Sequence, residues 1–225
     1  MTSPSPDRLR LPGTLVSVDG PGGVGKSSTV ARVMDLLVAT GLAVHATTQP
    51  SRTPLGELIR HGTHLYRGVA LARLCAGDRA HQHTTEILPA LEAGAIVITD
   101  RYLPSSLVLQ GLDGLSMDTV WTVNDGVHRP DLAVILTADP DVIARRLHSR
   151  GTHSRFEQAP DSSRHEVAGY HKSIDYLRER GWPVITFDVT TATVDTVAHT
   201  LAALIRTTHT PTAAHPVDQE FPACP

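Results

Sequence analysis

Apolar positions along this chain fall into two spacings that take turns. Thr14–Asp19 (TLVSVD) is a short, nearly continuous apolar run and reads as a strand. Lys26–Thr40 carries Val30, Val33, Leu37 and Val38 at helical spacing and stops at Gly41. Leu42–Thr47 reads as the next strand, and His83–Ala93 as a helix that ends at Gly94. Ala95–Thr99 and Leu132–Thr137 are β-branched runs of the kind found in strands buried on both faces. Asp141–His148 is helical, Val184–Asp188 is a last strand and Val194–Ile205 a last helix. Strands alternating with helices predict a parallel sheet covered on both sides, an α/β three-layer sandwich. Ligands of such sheets bind at the carboxyl ends of the strands. No internal repeat is present.

The ends differ from this pattern. Residues 1–12 are rich in Pro, Ser and Arg and are expected to be disordered, and residues 207–225 contain prolines without periodicity and read as a flexible tail. One domain over 13–206 is expected. The whole chain has 225 residues, 40% of them hydrophobic and 19% charged, which suits one domain with a full core.

The net charge of −3 and pI of about 6.5 give no basic excess, so no nucleic-acid partner is expected. Cys75 and Cys224 are far apart and make neither a disulfide framework nor a zinc site. Thirteen histidines, His81 and His83 among them, show no ligand spacing and read as composition and surface. Met1–Pro12 has no apolar run and is not a signal peptide, and no segment reaches the ~20 apolar residues of a membrane span. A soluble cytoplasmic protein is expected.

The chemistry begins after the first strand. V-D-G-P-G-G-V-G-K-S-S fits G-x-x-x-x-G-K-[ST], with Gly20, Gly25, Lys26 and Ser27 at the fixed positions. Glycines let backbone N–H groups turn inward around a phosphate, and the helix that follows adds partial positive charge. Gly22, Gly23, Val24 and Ser28 complete this ATP-binding segment. Lys26 is expected to reach the β- and γ-phosphates and the Ser27 hydroxyl to ligate magnesium. Asp100 ends the run I-V-I-T-D, where a second acid beside magnesium belongs; a cap or turn aspartate is the plainer alternative.

Beyond that motif the sequence resembles the thymidylate kinase family. T-D-R-Y-L-P-S-S-L-V-L-Q-G is similar to the family's D-R-Y-x-x-S-S-x-x-Y-Q-G, and T-Q-P-S-R-T-P-L-G-E-L-I-R to R-E-P-G-G-T-P-L-G-E-x-I-R. A-G-D-R-A, I-L-P-A-L-E-A-G, R-P-D-L and S-R-F-E also have counterparts in order, from about Leu15 to about Ile205. The resemblance implies a P-loop fold with a short mobile lid near 146–160. It also implies transfer of phosphate from ATP to a pyrimidine deoxynucleoside monophosphate, dTMP first, and a homodimer.

Residue by residue, the resemblance implies that Arg60 and Arg101 hold the acceptor's phosphate, since guanidinium forks suit phosphate oxygens. Arg79 faces the base, and Ser105, Ser106 and Gln110 line the acceptor pocket. Arg146, Arg150 and Arg155 lie in the lid, Arg146 toward ATP, and one or more of them stabilises the transferring phosphoryl group; a solvated helix face is the alternative for each. The loop lacks the arginine that some family members place inside it.

Several positions depart from the family pattern. An acid common in the loop is Gly22 here, the aromatic that stacks on thymine is Cys75, and the tyrosine before Gln-Gly is Leu109. The glutamate of R-E-P is Gln49 and the aspartate of D-R-F-E is Ser154. These changes leave open a different or modified acceptor. A nucleotide-binding regulatory protein is the reading from another class, and Arg60, Arg79 and Arg101 argue against it.

Overall fold

A computed structural model describes residues 11–152 and 154–209. Five parallel strands stand in the order β2-β3-β1-β4-β5: β1 (Thr14–Asp19), β2 (Val44–Thr48), β3 (Ile96–Asp100), β4 (Leu132–Thr137) and β5 (Val184–Asp188). Central β1 pairs with β3 and β4, with Val18 opposite Asp100 on one side and Val16 opposite Leu132 on the other.

Side chains alternate across the sheet, and both faces are buried. On one face Val16, Val18, Ile98 and Val134 pack with Val33 and Leu37 of α1 (Lys26–Val38) and with Leu201 and Ile205 of the C-terminal helix. On the other, Leu15, Val97 and Ala133 meet Ile87, Leu91, Leu103 and Trp182. Burial on both faces is why these strands read as unbroken apolar runs.

Between β2 and β3 lie α2 (Pro54–Gly62), α3 (Gly68–Gln82), a π-helical turn (His83–Ile87) and α4 (Leu88–Glu92). α5 (Leu103–Leu112) and α6 (Met117–Val123) follow β3. α7 (Pro140–Arg150), α8 (Arg155–Gln158) and α9 (Ser162–Glu179) separate β4 from β5, and α10 (Val194–Thr208) ends the fold. Side chains of Thr53, Ser116, Asp139 and Thr193 accept the first free N–H groups of α2, α6, α7 and α10. Among the described residues no helix is long and apolar enough to cross a membrane.

Several boundaries differ from the sequence expectation. β2 begins at Val44 and β3 ends on Asp100 itself. Val38 is exposed and closes α1 before Gly41, whose φ of 79° suits glycine. The helix expected from His83 is the end of a longer helical stretch that starts at Gly68. Residues 207–209, where the tail was expected to begin, belong to the fold. α10 runs to Thr208, and the ring Nδ1 of His209 lies 2.9 Å from Thr14 Oγ1. The remainder of both expected terminal segments lies outside the described residues.

Candidate active site

The loop from β1 to α1 opens at the carboxyl edge of the sheet. Gly20, Gly23 and Gly25 have φ of 144°, 76° and 101°, conformations that favour glycine. Lys26 is buried and folds back on the loop, its Nζ donating to Gly20 O (2.9 Å) and Pro21 O (2.7 Å). Burial lowers its pKa to about 7, helped by the Arg101 guanidinium and opposed by Asp100, Glu166 and Asp19. Val24 points into the core, which leaves its main chain to the loop.

Ser27 Oγ donates to Asp100 Oδ2 at 2.5 Å. Asp100 Oδ1 is buried with no hydrogen-bond partner among the described residues. A hydroxyl beside a carboxylate with a spare oxygen is a donor set that fits a hard, oxygen-seeking cation such as magnesium.

A cleft of about 550 Å³ joins this loop to residues of α2, α3 and α5. Gly22, Gly23, Gly25, Lys26, Ser27 and Ser28 line one wall; Arg60, Cys75, Arg79, Ser105, Ser106, Leu109 and Gln110 line the other, with Asp100 and Arg101 between them. Arg150 and Ser154 close the top.

Arg101 has φ of 74°, rare for a residue with a side chain, at the corner between β3 and α5. Its Nη1 donates to Ser105 Oγ at 3.4 Å. Burial disfavours its charge, but Tyr170, Asp100, Glu166 and Asp19 outweigh burial and raise its pKa. Asp19 makes the corner rigid: its Oδ1 accepts from Tyr102 N (2.9 Å), Ser105 N (3.0 Å) and Ser105 Oγ (2.6 Å). It thus caps α5 from the end of β1, and burial raises its own pKa against these bonds. The sequence reading missed Asp19, although it stands directly before the glycine loop.

Arg60 donates to Pro50 O (2.5 Å) and Ser51 O (3.2 Å), and Asp78 holds the same turn through Ser51 N and Oγ. Arg79 is buried and donates to Gln49 Oε1 (2.8 Å), Ser106 Oγ (2.7 Å) and Asn124 Oδ1. Burial lowers its pKa. Gln110 Oε1 is buried without a partner among the described residues, and burial pushes the Cys75 thiol up to about 11.

Cys75 and Leu109 pack in one apolar cluster with Ile59, Leu71 and Phe156. Phe156 comes from α8, in the segment expected to form a lid, so one aromatic ring of the cleft arrives from an element that the sequence reading credited only with arginines.

The three lid arginines part company. Arg150 donates from one nitrogen to both Glu157 oxygens at 3.1 Å, on the cleft wall. Arg155 does not line the cleft. It donates to Thr63 O and Asp113 Oδ2, both at 2.5 Å, with its guanidinium 4.1 Å from the Phe156 ring centre. Arg146 donates to Val189 O at 3.2 Å, outside the cleft lining, which also omits Gly20 and Val24. Glu166 of α9, another residue the sequence reading missed, is buried and accepts from Gly22 N at 2.9 Å. A glutamate on the apolar face of an amphipathic helix, beside Val167 and Tyr170, was its signal.

A glycine loop opening a helix from the central strand of a five-stranded parallel sheet, facing an arginine-lined second pocket, defines a P-loop nucleoside monophosphate kinase. The family model for thymidylate kinase matches residues 18–186, and the chain belongs to the thymidylate kinase family. It is similar to a probable thymidylate kinase of Caldivirga maquilingensis, 37% identical over 76% of this chain and 83% of the relative. It is also similar to probable thymidylate kinases of Pyrobaculum aerophilum (36% identical over 63% and 73%) and Pyrococcus abyssi (34% over 74% and 85%). The chain is accordingly a phosphotransferase acting on nucleoside monophosphates.

Proposed function

We propose that the enzyme transfers the γ-phosphoryl group of ATP to dTMP, forming dTDP and ADP. One observation carries the reading: Lys26, Ser27 and Asp100 share a single cleft with Arg60, Arg79 and Arg101. Donor and acceptor phosphates are both anions, and the two cationic sets face one space.

In this reading Lys26 leaves the Gly20 and Pro21 carbonyls for the β- and γ-phosphates. Arg101 and Arg60 orient the acceptor's phosphate so that one of its oxygens lies in line with the β,γ-bridge. That oxygen forms a bond to the γ-phosphorus as the bridging bond breaks, and ADP leaves with the electron pair. The acceptor phosphate is already ionised, so no strong general base is needed. Arg150 is the lid arginine positioned to neutralise charge on the moving group. Ser27 and Asp100 are the residues to hold magnesium, which when bound neutralises charge shared by the β- and γ-phosphates. The proposal includes one kinase domain over about residues 13–206 and a cytoplasmic homodimer.

Cys75 and Leu109 favour a second reading, in which the acceptor is a different or modified pyrimidine monophosphate. A coupled ADP-release assay over dTMP, dUMP, UMP and 5-hydroxymethyl pyrimidine nucleotides separates the two. A preference for dTMP of about a hundredfold in kcat/KM supports the first, and a larger kcat/KM for another member of the panel refutes it.

A further inference from the structure

Arg79 is a buried cation whose hydrogen-bond partners are all neutral. Its Nε donates to Gln49 Oε1 (2.8 Å), and its other bonds go to Ser106 Oγ (2.7 Å) and Asn124 Oδ1. The neighbouring Asp78 is turned to Ser51 instead. Gln49 stands where the family pattern has a glutamate.

What lies behind Gln49, outside the cleft, accounts for the amide. Gln49 Nε2 donates to Gln82 Oε1 at 3.0 Å. Gln82 Nε2 donates in turn to Thr47 Oγ1 (2.8 Å), Glu86 Oε2 (2.9 Å) and Thr48 O (3.1 Å). Glu86 Oε1 lies 2.8 Å from His45 Nε2. Glu86 belongs to the π-helical turn after α3, a distortion often kept at functional sites. Gln49 and Arg79 line the cleft; Gln82 and Glu86 do not.

The polarity of this chain of bonds is fixed from both ends. A guanidinium only donates, so Gln49 must turn its oxygen to Arg79 and its NH2 to Gln82. A carboxylate and a carbonyl only accept, so Gln82 must turn its NH2 to Glu86 and Thr48 and its oxygen to Gln49. The two demands agree only if position 49 is an amide. A glutamate there would need the NH2 of Gln82, which would then face Glu86 and Thr48 O with an oxygen. We propose that Gln82 is a positioning residue for the acceptor's base: it holds Gln49 with its oxygen toward Arg79, so that Arg79 keeps its place and its free N–H groups for a carbonyl oxygen of the base. Of the five N–H groups of a guanidinium, three are bonded to protein here and two are left for that oxygen. Glu86 sets the polarity from outside the cleft. The proposal rests on the reading in which Arg79 faces the acceptor's base. It makes Gln49 one member of a matched set with Gln82 and Glu86.

The test measures kcat and the KM values for dTMP and ATP in wild type, Gln82→Met, Gln49→Glu, Glu86→Gln and Gln49→Glu/Glu86→Gln, with the ligand-free Tm of each. Gln82→Met should raise the KM for dTMP about tenfold and leave kcat and the KM for ATP little changed. Gln49→Glu should raise it about tenfold in wild type, where buried oxygens are left facing one another. In the Glu86→Gln background the same change should leave it within about twofold of Glu86→Gln alone. An amide at 86 can turn its NH2 to Gln82 and its oxygen to His45, and the chain of bonds then runs the other way.

The idea is overturned if Gln82→Met leaves the KM for dTMP unchanged or raises the KM for ATP as much, or if Gln49→Glu is equally harmful in both backgrounds. Should Gln49→Glu fold only together with Glu86→Gln, the Tm values carry the same conclusion; should it fold in neither, Gln82→Met decides. Failure of the underlying reading shows separately, as an Arg79→Lys variant whose KM for the acceptor is that of wild type. If wild type does not turn over dTMP, the same ratios are taken on the monophosphate that the panel selects.

Discussion

Binding of MgATP should draw a proton from solvent at alkaline pH, and the proton should go to Lys26. In the ligand-free enzyme Lys26 is buried, makes its two hydrogen bonds to carbonyls, and has a pKa lowered to about 7. At pH 8 it is then roughly nine-tenths neutral, and at pH 7 about half. A bound triphosphate places several negative charges beside it and returns it to the ammonium form. Uptake should be about 0.9 proton per ATP at pH 8, about 0.5 at pH 7 and close to zero at pH 6. The affinity for ATP should fall by up to about tenfold per unit above pH 7. The sign for stability follows from the same group. Its pKa is below the usual 10.5 in the folded chain, so the unfolded chain holds more protons between about 7 and 10.5. Stability of the ligand-free enzyme therefore gains from this lysine as pH rises through that window. Calorimetric titration with a non-hydrolysable ATP analogue, in two buffers of different ionisation enthalpy, counts the protons. Lys26→Met should abolish the uptake. Uptake below about 0.2 proton at pH 8, or the same uptake in Lys26→Met, would refute the reasoning.

Three further outcomes are expected. Arg101→Ala should raise the acceptor's KM and lower kcat while leaving affinity for the ATP analogue unchanged; a large loss of ATP affinity by calorimetry moves Arg101 to the donor side. Phe156→Ala should raise the acceptor's KM about tenfold, the scale of one lost aromatic stack, and Cys75→Phe in that background should recover it. No recovery in steady-state kinetics means that the ring is structural only. Arg155→Ala leaves Asp113, 6% exposed, without its cation. It should loosen lid docking by about 1–3 kcal/mol, seen as faster tryptic cleavage after Arg150, and an unchanged cleavage rate argues against the latch.

The phosphate loop and the three inner strands were legible because local pattern specifies them: glycines at fixed spacing, and apolar runs buried on both faces; the outer strands β2 and β5 were read from shorter runs and are only partly buried. α3 was not, because the face it buries carries Asp78, Arg79 and Gln82 and so shows no apolar stripe. Asp78 and Arg79 line the cleft and Gln82 bonds to Gln49 beside it, so the same fact hides the helix and marks the site. The arginines expected to form a lid were legible as a cluster, but the partner of each was not. Arg155 is turned aside by Asp113 and Thr63, 42 and 92 positions away, and no local signal specifies such partners. Glu157 stood in the quoted S-R-F-E, yet its side chain lies against Gly22 only once the chain is folded.

In the proposed reading the donor and acceptor phosphates sit at the ends of neighbouring strands. The loop leaves β1 at Asp19 and Arg101 leaves β3 at Asp100, and the backbones of the two strands are hydrogen-bonded in fixed register, Val18 opposite Asp100. Adjacent strands lie about 4.8 Å apart whatever their side chains. On those assignments the sheet acts as a ruler for the distance over which phosphate moves. Cys75 and Leu109 stand on helices away from those two strands, so in that reading changes there alter which nucleotide is chosen without altering the length of the step. In that reading the choice of nucleotide can shift one side chain at a time while the transfer chemistry is kept.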